Sequence, residues 1–120
     1  MNYTVEEFAL CLLHAVTNSH ILHLRTRSFA EHKALEIFYT EIGDIADTYI
    51  ETYQGKYGII EQYGPSYQEP PGSPLEYLIS LSDYVFEARQ HLKQDTELQN
   101  ITDEIAQLIN QTIYRLRFLK

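Results

Sequence analysis

The sequence predicts an all-α fold: a four-helix bundle of two antiparallel hairpins joined by one long connection. Apolar residues recur at spacings of three and four on both sides of the chain's middle, the periodicity of amphipathic helices. All four prolines and four of the five glycines fall between residues 55 and 74, so the chain is interrupted once, near its centre. Its 120 residues, 44% hydrophobic and 22% charged, suit a single domain with a single core.

Each predicted helix begins at a residue that can cap it. A Ser or Thr followed three residues later by Glu can satisfy amides of the first helical turn, which predicts helix starts at Thr4, Ser28 and Ser73. Asp95 or Thr96 is the predicted cap of the fourth helix. The sequence therefore predicts one domain over residues 1–120, with helices over about 4–24, 28–54, 74–93 and 96–119 and a crossover loop over 55–73.

The lengths of the connections predict how the helices are arranged. Only a few residues join the first helix to the second and the third to the fourth, which favours two antiparallel hairpins. The crossover between them is rich in Gly, Pro and Tyr and long enough to run the length of a bundle. This places the second and third helices parallel to each other, as in ferritin-like folds.

Charge and cysteine content exclude several classes of protein. Nine Lys and Arg stand against 17 Asp and Glu, a net charge of −8 that repels phosphate backbones and makes DNA binding unlikely. The single cysteine, Cys11, cannot form an internal disulfide, which favours a cytoplasmic protein. We find no signal peptide pattern and no apolar run long enough for a membrane span, so we expect no membrane association.

The second helix carries an unusual concentration of acids, six against one base between residues 31 and 51. A helical projection at about 100° per residue places one His and three carboxylates on a stripe beside the apolar stripe. The first helix adds two imidazoles on its inward or interfacial side. Imidazole and carboxylate without thiolate suit iron, manganese or zinc. These candidate ligands are His32, Glu36, Asp47 and Glu51 of the second helix, and His20 and His23 of the first.

The spacing of five of these residues resembles a known pattern. From His20, the intervals to His32, Glu36, Asp47 and Glu51 are 12, 16, 27 and 31 residues. This series is similar to the ferroxidase signature of the miniferritins, the Dps family of DNA-protection proteins. The resemblance implies two iron ions between twofold-related subunits, where Fe(II) would be oxidised by peroxide or O₂.

In that arrangement His20, His32 and Glu36 of one chain face Asp47 and Glu51 of its partner, and His23 is an additional candidate ligand. The resemblance also implies a homo-oligomer, at least a twofold dimer and at most the family's dodecamer. Manganese and zinc are the alternative metals. The chain lacks the family's basic tail, so we retain the metal chemistry and set aside the DNA role.

A second resemblance concerns the source of the chain. The run of residues 51–58, Glu-Thr-Tyr-Gln-Gly-Lys-Tyr-Gly, is similar to small uncharacterised proteins of tailed phages. It implies a phage-encoded protein in the host cytoplasm, with no activity specified.

Two further interpretations stay open, and whether the chain is an enzyme stays open with them. In the first, the scaffold is a non-catalytic binding protein. Arg25, Arg27 and Lys33 surround a helix N-terminus, a pattern that suits a small anionic ligand, and the same protein could block a host factor. In the second, the acid stripe is a solvated surface, and the loop residues Tyr57, Tyr63 and Tyr67 form a contact surface.

Overall fold

The computed structural model describes residues 3–64, 69–70 and 72–120. These residues form four α-helices and no strand: α1 (Val5–Arg25), α2 (Phe29–Tyr57), α3 (Pro74–Ala88) and α4 (Thr96–Phe118). The all-helical prediction is therefore confirmed. Tyr67, which we assigned to a contact surface, and residues 65, 66, 68 and 71 of the crossover lie outside the described residues.

The four helices surround one main core. Helix α1 packs on α2, α2 on α4 and α4 on α3, while α3 and α1 touch only sparsely. Phe8 near the start of α1 meets Tyr49 near the end of α2, at 5.0 Å between ring centres. At the other end of the same pair, His23 meets His32. The core is made of apolar side chains from all four helices, among them Phe8, Leu12, Leu35, Phe38, Leu78, Val85, Ile105 and Ile109.

Three helix starts are capped by the predicted residues. The Thr4 and Ser28 hydroxyls accept hydrogen bonds from the backbone N–H three residues on, at 3.2 Å in each case. Ser73 forms a reciprocal pair with Glu76, whose carboxylate accepts from the Ser73 N–H at 3.0 Å. These hydrogen bonds from Ser73 lower the pKa of the Glu76 carboxyl.

Two helix ends differ from the prediction. Helix α2 extends to Tyr57, three residues past the predicted end, and stops at Gly58, whose φ of +103° favours glycine. Helix α3 ends at Ala88, five residues early. The side-chain amides of Gln94 and Gln99 donate to the carbonyls of residues 89, 92 and 93, which replaces the bonds a longer helix would make.

Asp95 occupies the N-cap position of α4, but its side chain makes no capping hydrogen bond. Its carboxylate instead accepts from the Tyr57 hydroxyl at 2.7 Å and from the Lys56 ammonium. These two hydrogen bonds join the end of α2 to the start of α4. The bond to Lys56 and then that to Tyr57 lower the pKa of Asp95, while the pKa of Lys56 is raised by the same hydrogen bond and charge.

Replacing Asp95 with asparagine should make acid unfolding less steep. A carboxyl whose pKa is lowered by folding stabilises the protein above its ordinary pKa of 3.8, and this contribution disappears as pH falls through the folded-state value. Urea unfolding from about pH 7 to pH 2 should therefore show a difference between wild type and Asp95→Asn that closes at low pH. Asp83→Asn, at an exposed position of α3, is the control. A difference independent of pH would contradict the ion pair.

Candidate metal centre

The turn between α1 and α2 is three residues long and brings the last turn of α1 beside the first turns of α2. Thr26 fixes this turn: its hydroxyl donates to Glu31 at 2.5 Å and accepts from the Ser28 N–H at 3.1 Å. Because residues at similar distances from a tight turn lie opposite each other, His23 of α1 meets His32 of α2.

Two reciprocal hydrogen bonds hold the two imidazoles. The Nδ1 atom of His23 lies 2.7 Å from the carbonyl oxygen of His32, and Nδ1 of His32 lies 2.9 Å from the carbonyl oxygen of His23. A carbonyl only accepts, so each Nδ1 carries the proton and donates it. In a neutral imidazole the lone pair is then on Nε2, the state in which a histidine binds a metal through that atom.

The rings stack at 3.6 Å between centres and 20° between planes. His23 is 6% exposed, whereas His32 and Glu36 are half-buried. One ligand atom from each of these three residues lies within 4.8 Å of those from the other two. Among the described residues, these three are the His, Cys, Asp or Glu side chains that lie close enough together to share one metal ion. The site therefore combines one buried and one half-buried imidazole, both oriented by hydrogen bonds, with a carboxylate at its edge.

The three residues fit a transition-metal ion in donor type. Imidazole and carboxylate atoms bind zinc or iron at roughly 2.0–2.2 Å, which separates neighbouring ligand atoms by about 3–3.5 Å. The present span of 4.8 Å requires a small closure, and Glu36 has more rotatable side-chain bonds than either histidine. Its carboxylate lies 3.9 Å from the Lys33 ammonium, an exposed pair that costs little to break.

The structure brings together only part of the predicted ligand set. His32 and Glu36 meet His23, which we predicted only as an additional candidate ligand. His20 is exposed, and its ring stacks on Tyr39 at 4.4 Å, outside the group. Asp47 and Glu51 are exposed and lie 11 and 15 residues beyond Glu36, about 16 and 22 Å along the helix axis.

Asp47 and Glu51 therefore cannot reach the His23 group of their own chain. The intersubunit arrangement that the miniferritin resemblance implies would need a second copy to supply them, and it stays a prediction.

Two of the three cations predicted to hold an anion have other partners. Arg25 donates to the Pro70 carbonyl at 3.2 Å and lies 3.8 Å from the Glu69 carboxylate. Lys33 lies beside Glu36 and over the ring of Phe29. Arg27 is exposed. Two of the three cations thus already have acceptors, carboxylates or ring faces beside them.

Tyr39 lies next to the site, and the apolar pattern of α2 did not indicate this position. Its ring packs edge-on against His23 at 5.1 Å and face-on against His20 at 4.4 Å. It therefore covers one side of the His23 ring. At helical spacing a tyrosine of this kind cannot be told from a core residue by sequence alone.

The fold and the site together define the class of protein: a helical protein with a pair of imidazoles at its candidate site. Comparison with known proteins places the chain within a family. A family of unknown function (DUF5856) matches residues 23–116, and the chain belongs to this family. The matched segment includes His23, His32 and Glu36.

The chain is also similar to an uncharacterised 14.6 kDa protein from the mobD-ri intergenic region of Enterobacteria phage T4. The two are 26% identical over 113 residues, covering 92% of this chain and 86% of the phage protein. No solved structure matches the chain. The resemblance to small phage proteins thus has a counterpart among known proteins, whereas these comparisons give no support to the miniferritin resemblance.

None of the helices in the described part of the chain is both long and apolar enough to cross a membrane.

Proposed function

We propose that the protein binds one divalent transition-metal ion through His23, His32 and Glu36. The observation that carries the proposal is the reciprocal pair of Nδ1–H to carbonyl hydrogen bonds, since it leaves the lone pair of each imidazole on Nε2. Such bonds from the second ring nitrogen to a carbonyl commonly orient histidine ligands in metal sites. Burial of His23 further limits the motion of the ring.

Iron, zinc and manganese all suit this donor set. When bound, iron would supply one-electron chemistry toward peroxide or O₂, which is the ferroxidase form of the proposal. The residues of this chain would bind and orient the ion, and Tyr39 would cover one side of the His23 imidazole. In that form Asp47 and Glu51 of a second copy complete the site, and His20 becomes a ligand after leaving Tyr39.

The proposal also covers the arrangement of the helices and the origin of the protein. An antiparallel, ferritin-like arrangement of the hairpins is supported by the meetings of Phe8 with Tyr49 and of His23 with His32. A phage-encoded protein acting in the host cytoplasm is supported by the similarity to the phage T4 protein.

Titration of metal-free protein with Co²⁺ tests the proposal. We expect a visible d–d absorption band that saturates at one ion per chain and is lost in Glu36→Gln. Glu41→Gln, an exposed acid on the same helix and outside the group, should bind as wild type does. Absence of a saturable band would refute metal binding at this site.

Replacing His20 separates the two forms of the proposal. If one chain provides the whole site, His20→Ala should change the Co²⁺ affinity by less than about twofold. If two copies form a di-iron site, the same variant should abolish peroxide-dependent oxidation of Fe(II), and the protein should have the mass of a dimer or larger assembly.

The non-catalytic anion-binding role is the lesser candidate, because Arg25 and Lys33 already have partners. It would be favoured by a nucleotide that raises the melting temperature of metal-free wild type but not of Arg27→Ala.

A further inference from the structure

The three side chains of the candidate metal centre do not fill the coordination sphere of a transition-metal ion. His23 and His32 each offer one Nε2 atom, and Glu36 offers its carboxylate. Within the described part of the chain, no fourth His, Cys, Asp or Glu side chain belongs to the group. Zinc takes about four ligands, and manganese takes about six. At least one coordination position is therefore left for a ligand from outside this chain.

The types of donor atom point in the same direction. Zinc sites that only stabilise a fold are closed by a full set of protein ligands, most of them thiolates. Two imidazoles and one carboxylate, by contrast, hold zinc with one position open to water or substrate, and they hold iron with open positions as well. The single cysteine, Cys11, lies about three helical turns before His23 and outside the group. The donor set of this chain is therefore that of a site with room for a ligand.

The group is open to solvent on one side. His32, Lys33 and Glu36 lie within the first turns of α2 and share one face of that helix. The side chains of Lys33 and Glu36 are 56% and 46% exposed. On the other side of the group His23 is buried, and Tyr39 packs against its ring. A ligand from solvent therefore reaches the ion beside Lys33 and Glu36.

Binding of the ion frees Lys33 from Glu36. The Lys33 ammonium lies 3.9 Å from the Glu36 carboxylate, in an exposed pair that is held weakly. Once the carboxylate turns to the ion, its negative charge is neutralised there and attracts Lys33 less. The ammonium stays close, because Lys33 directly follows His32 and carries its charge on a flexible side chain. It can then donate a charge-assisted hydrogen bond to a ligand on the ion.

The occupied site is positive although the chain as a whole is acidic. A divalent ion with two neutral imidazoles and one carboxylate has a net charge of about +1, and Lys33 adds a second positive charge. Glu31, the other carboxylate in these turns, accepts a hydrogen bond from the Thr26 hydroxyl. An uncharged ligand gains only its bond to the ion, whereas an anion also gains the attraction of Lys33. The site therefore favours an anion over an uncharged donor of similar size.

We infer that the ion held by His23, His32 and Glu36 keeps a coordination position for a small anion, a carboxylate or an anion of similar size, whose charge is bound by Lys33. The inference rests on the proposed metal site and names the class of ligand that this site takes. The anion supplies an oxygen or nitrogen donor to the ion and accepts a hydrogen bond from the Lys33 ammonium.

Titration of Co²⁺-loaded protein with sodium azide tests this inference, and pyridine serves as an uncharged probe of the same position. We expect both probes to change the visible Co²⁺ band saturably, azide with a dissociation constant of about 10 mM or tighter. Lys33→Gln should weaken azide binding by about three- to tenfold relative to pyridine binding. Lys93→Gln is the matched control, because it changes the net charge equally but lies over the Tyr57 ring at the far end of α2. It should keep the wild-type ratio of the two affinities.

A Co²⁺ band that neither probe changes would overturn the inference, because the coordination sphere would then be closed, as Asp47 and Glu51 of a second copy would close it. An unchanged ratio in Lys33→Gln, or an equal change in Lys33→Gln and Lys93→Gln, would also overturn it, because Lys33 would then have no local part in binding. These results would leave the proposed metal site intact. Failure to form the Co²⁺ band at all would instead refute the metal site, and this inference with it.

Discussion

Replacing His23 with alanine is expected to weaken Zn²⁺ binding by at least about 100-fold. The substitution removes one imidazole ligand and also the donor that holds the carbonyl of His32. It removes the stacking surface that fixes the His32 ring as well. Competition with a chromophoric chelator measures the affinity of both proteins. Unchanged Zn²⁺ affinity in His23→Ala would show that the ion binds elsewhere.

A second substitution at the same position separates structure from metal binding. The side-chain amide of asparagine can donate from about the position of Nδ1 but has no atom in the position of Nε2. His23→Asn should therefore recover much of the stability lost in His23→Ala while remaining unable to bind Zn²⁺. His91→Ala is the general control, since His91 is exposed and stacks on Tyr3, away from the metal centre. Its Zn²⁺ affinity should match that of wild type.

Replacing Phe8 with alanine should lower the free energy of unfolding by about 3–5 kcal/mol. Phe8 is fully buried, packs edge-on against Tyr49 at 5.0 Å and lies 6.3 Å from the Tyr84 ring. The truncation leaves a cavity where α1, α2 and α3 meet. Since small domains are stable by only about 5–15 kcal/mol, the variant should be near the limit of folding.

Urea unfolding followed by circular dichroism measures this loss. Phe86→Ala is the matched control, because Phe86 is 64% exposed on α3 and its removal should cost less than about 1 kcal/mol. If the two variants were equally stable, the core assignment of Phe8 would be wrong.

The helix starts were predictable because they depend on local chemistry. Thr4, Ser28 and Ser73 each satisfy an amide three residues away, and such a bond can be read from adjacent sequence. The end of α2 is bonded to a residue that is distant in the sequence. Asp95 bonds to Lys56 and Tyr57, which lie 39 and 38 residues earlier in the chain, and no local pattern shows that contact.

The residue types of the candidate site could be predicted from the sequence, but only some of the individual residues could. The acid and histidine pattern of α2 included His32 and Glu36, which the structure groups with His23. The register of the hairpin identifies the third member, because residues 23 and 32 lie four and five residues from the centre of the turn at Arg27, and His23 therefore faces His32. His20 falls one turn further from that position and meets Tyr39 instead.

The central claim is that His23 and His32 are held as Nδ1–H imidazoles whose Nε2 atoms bind a metal ion. Long-range ¹H–¹⁵N correlation spectra of the imidazole rings test it most directly. We expect both rings to carry the proton on Nδ1 in metal-free protein and both Nε2 resonances to shift on addition of one equivalent of Zn²⁺. A proton on Nε2 in either ring, or Nε2 resonances that do not respond to Zn²⁺, would contradict the account.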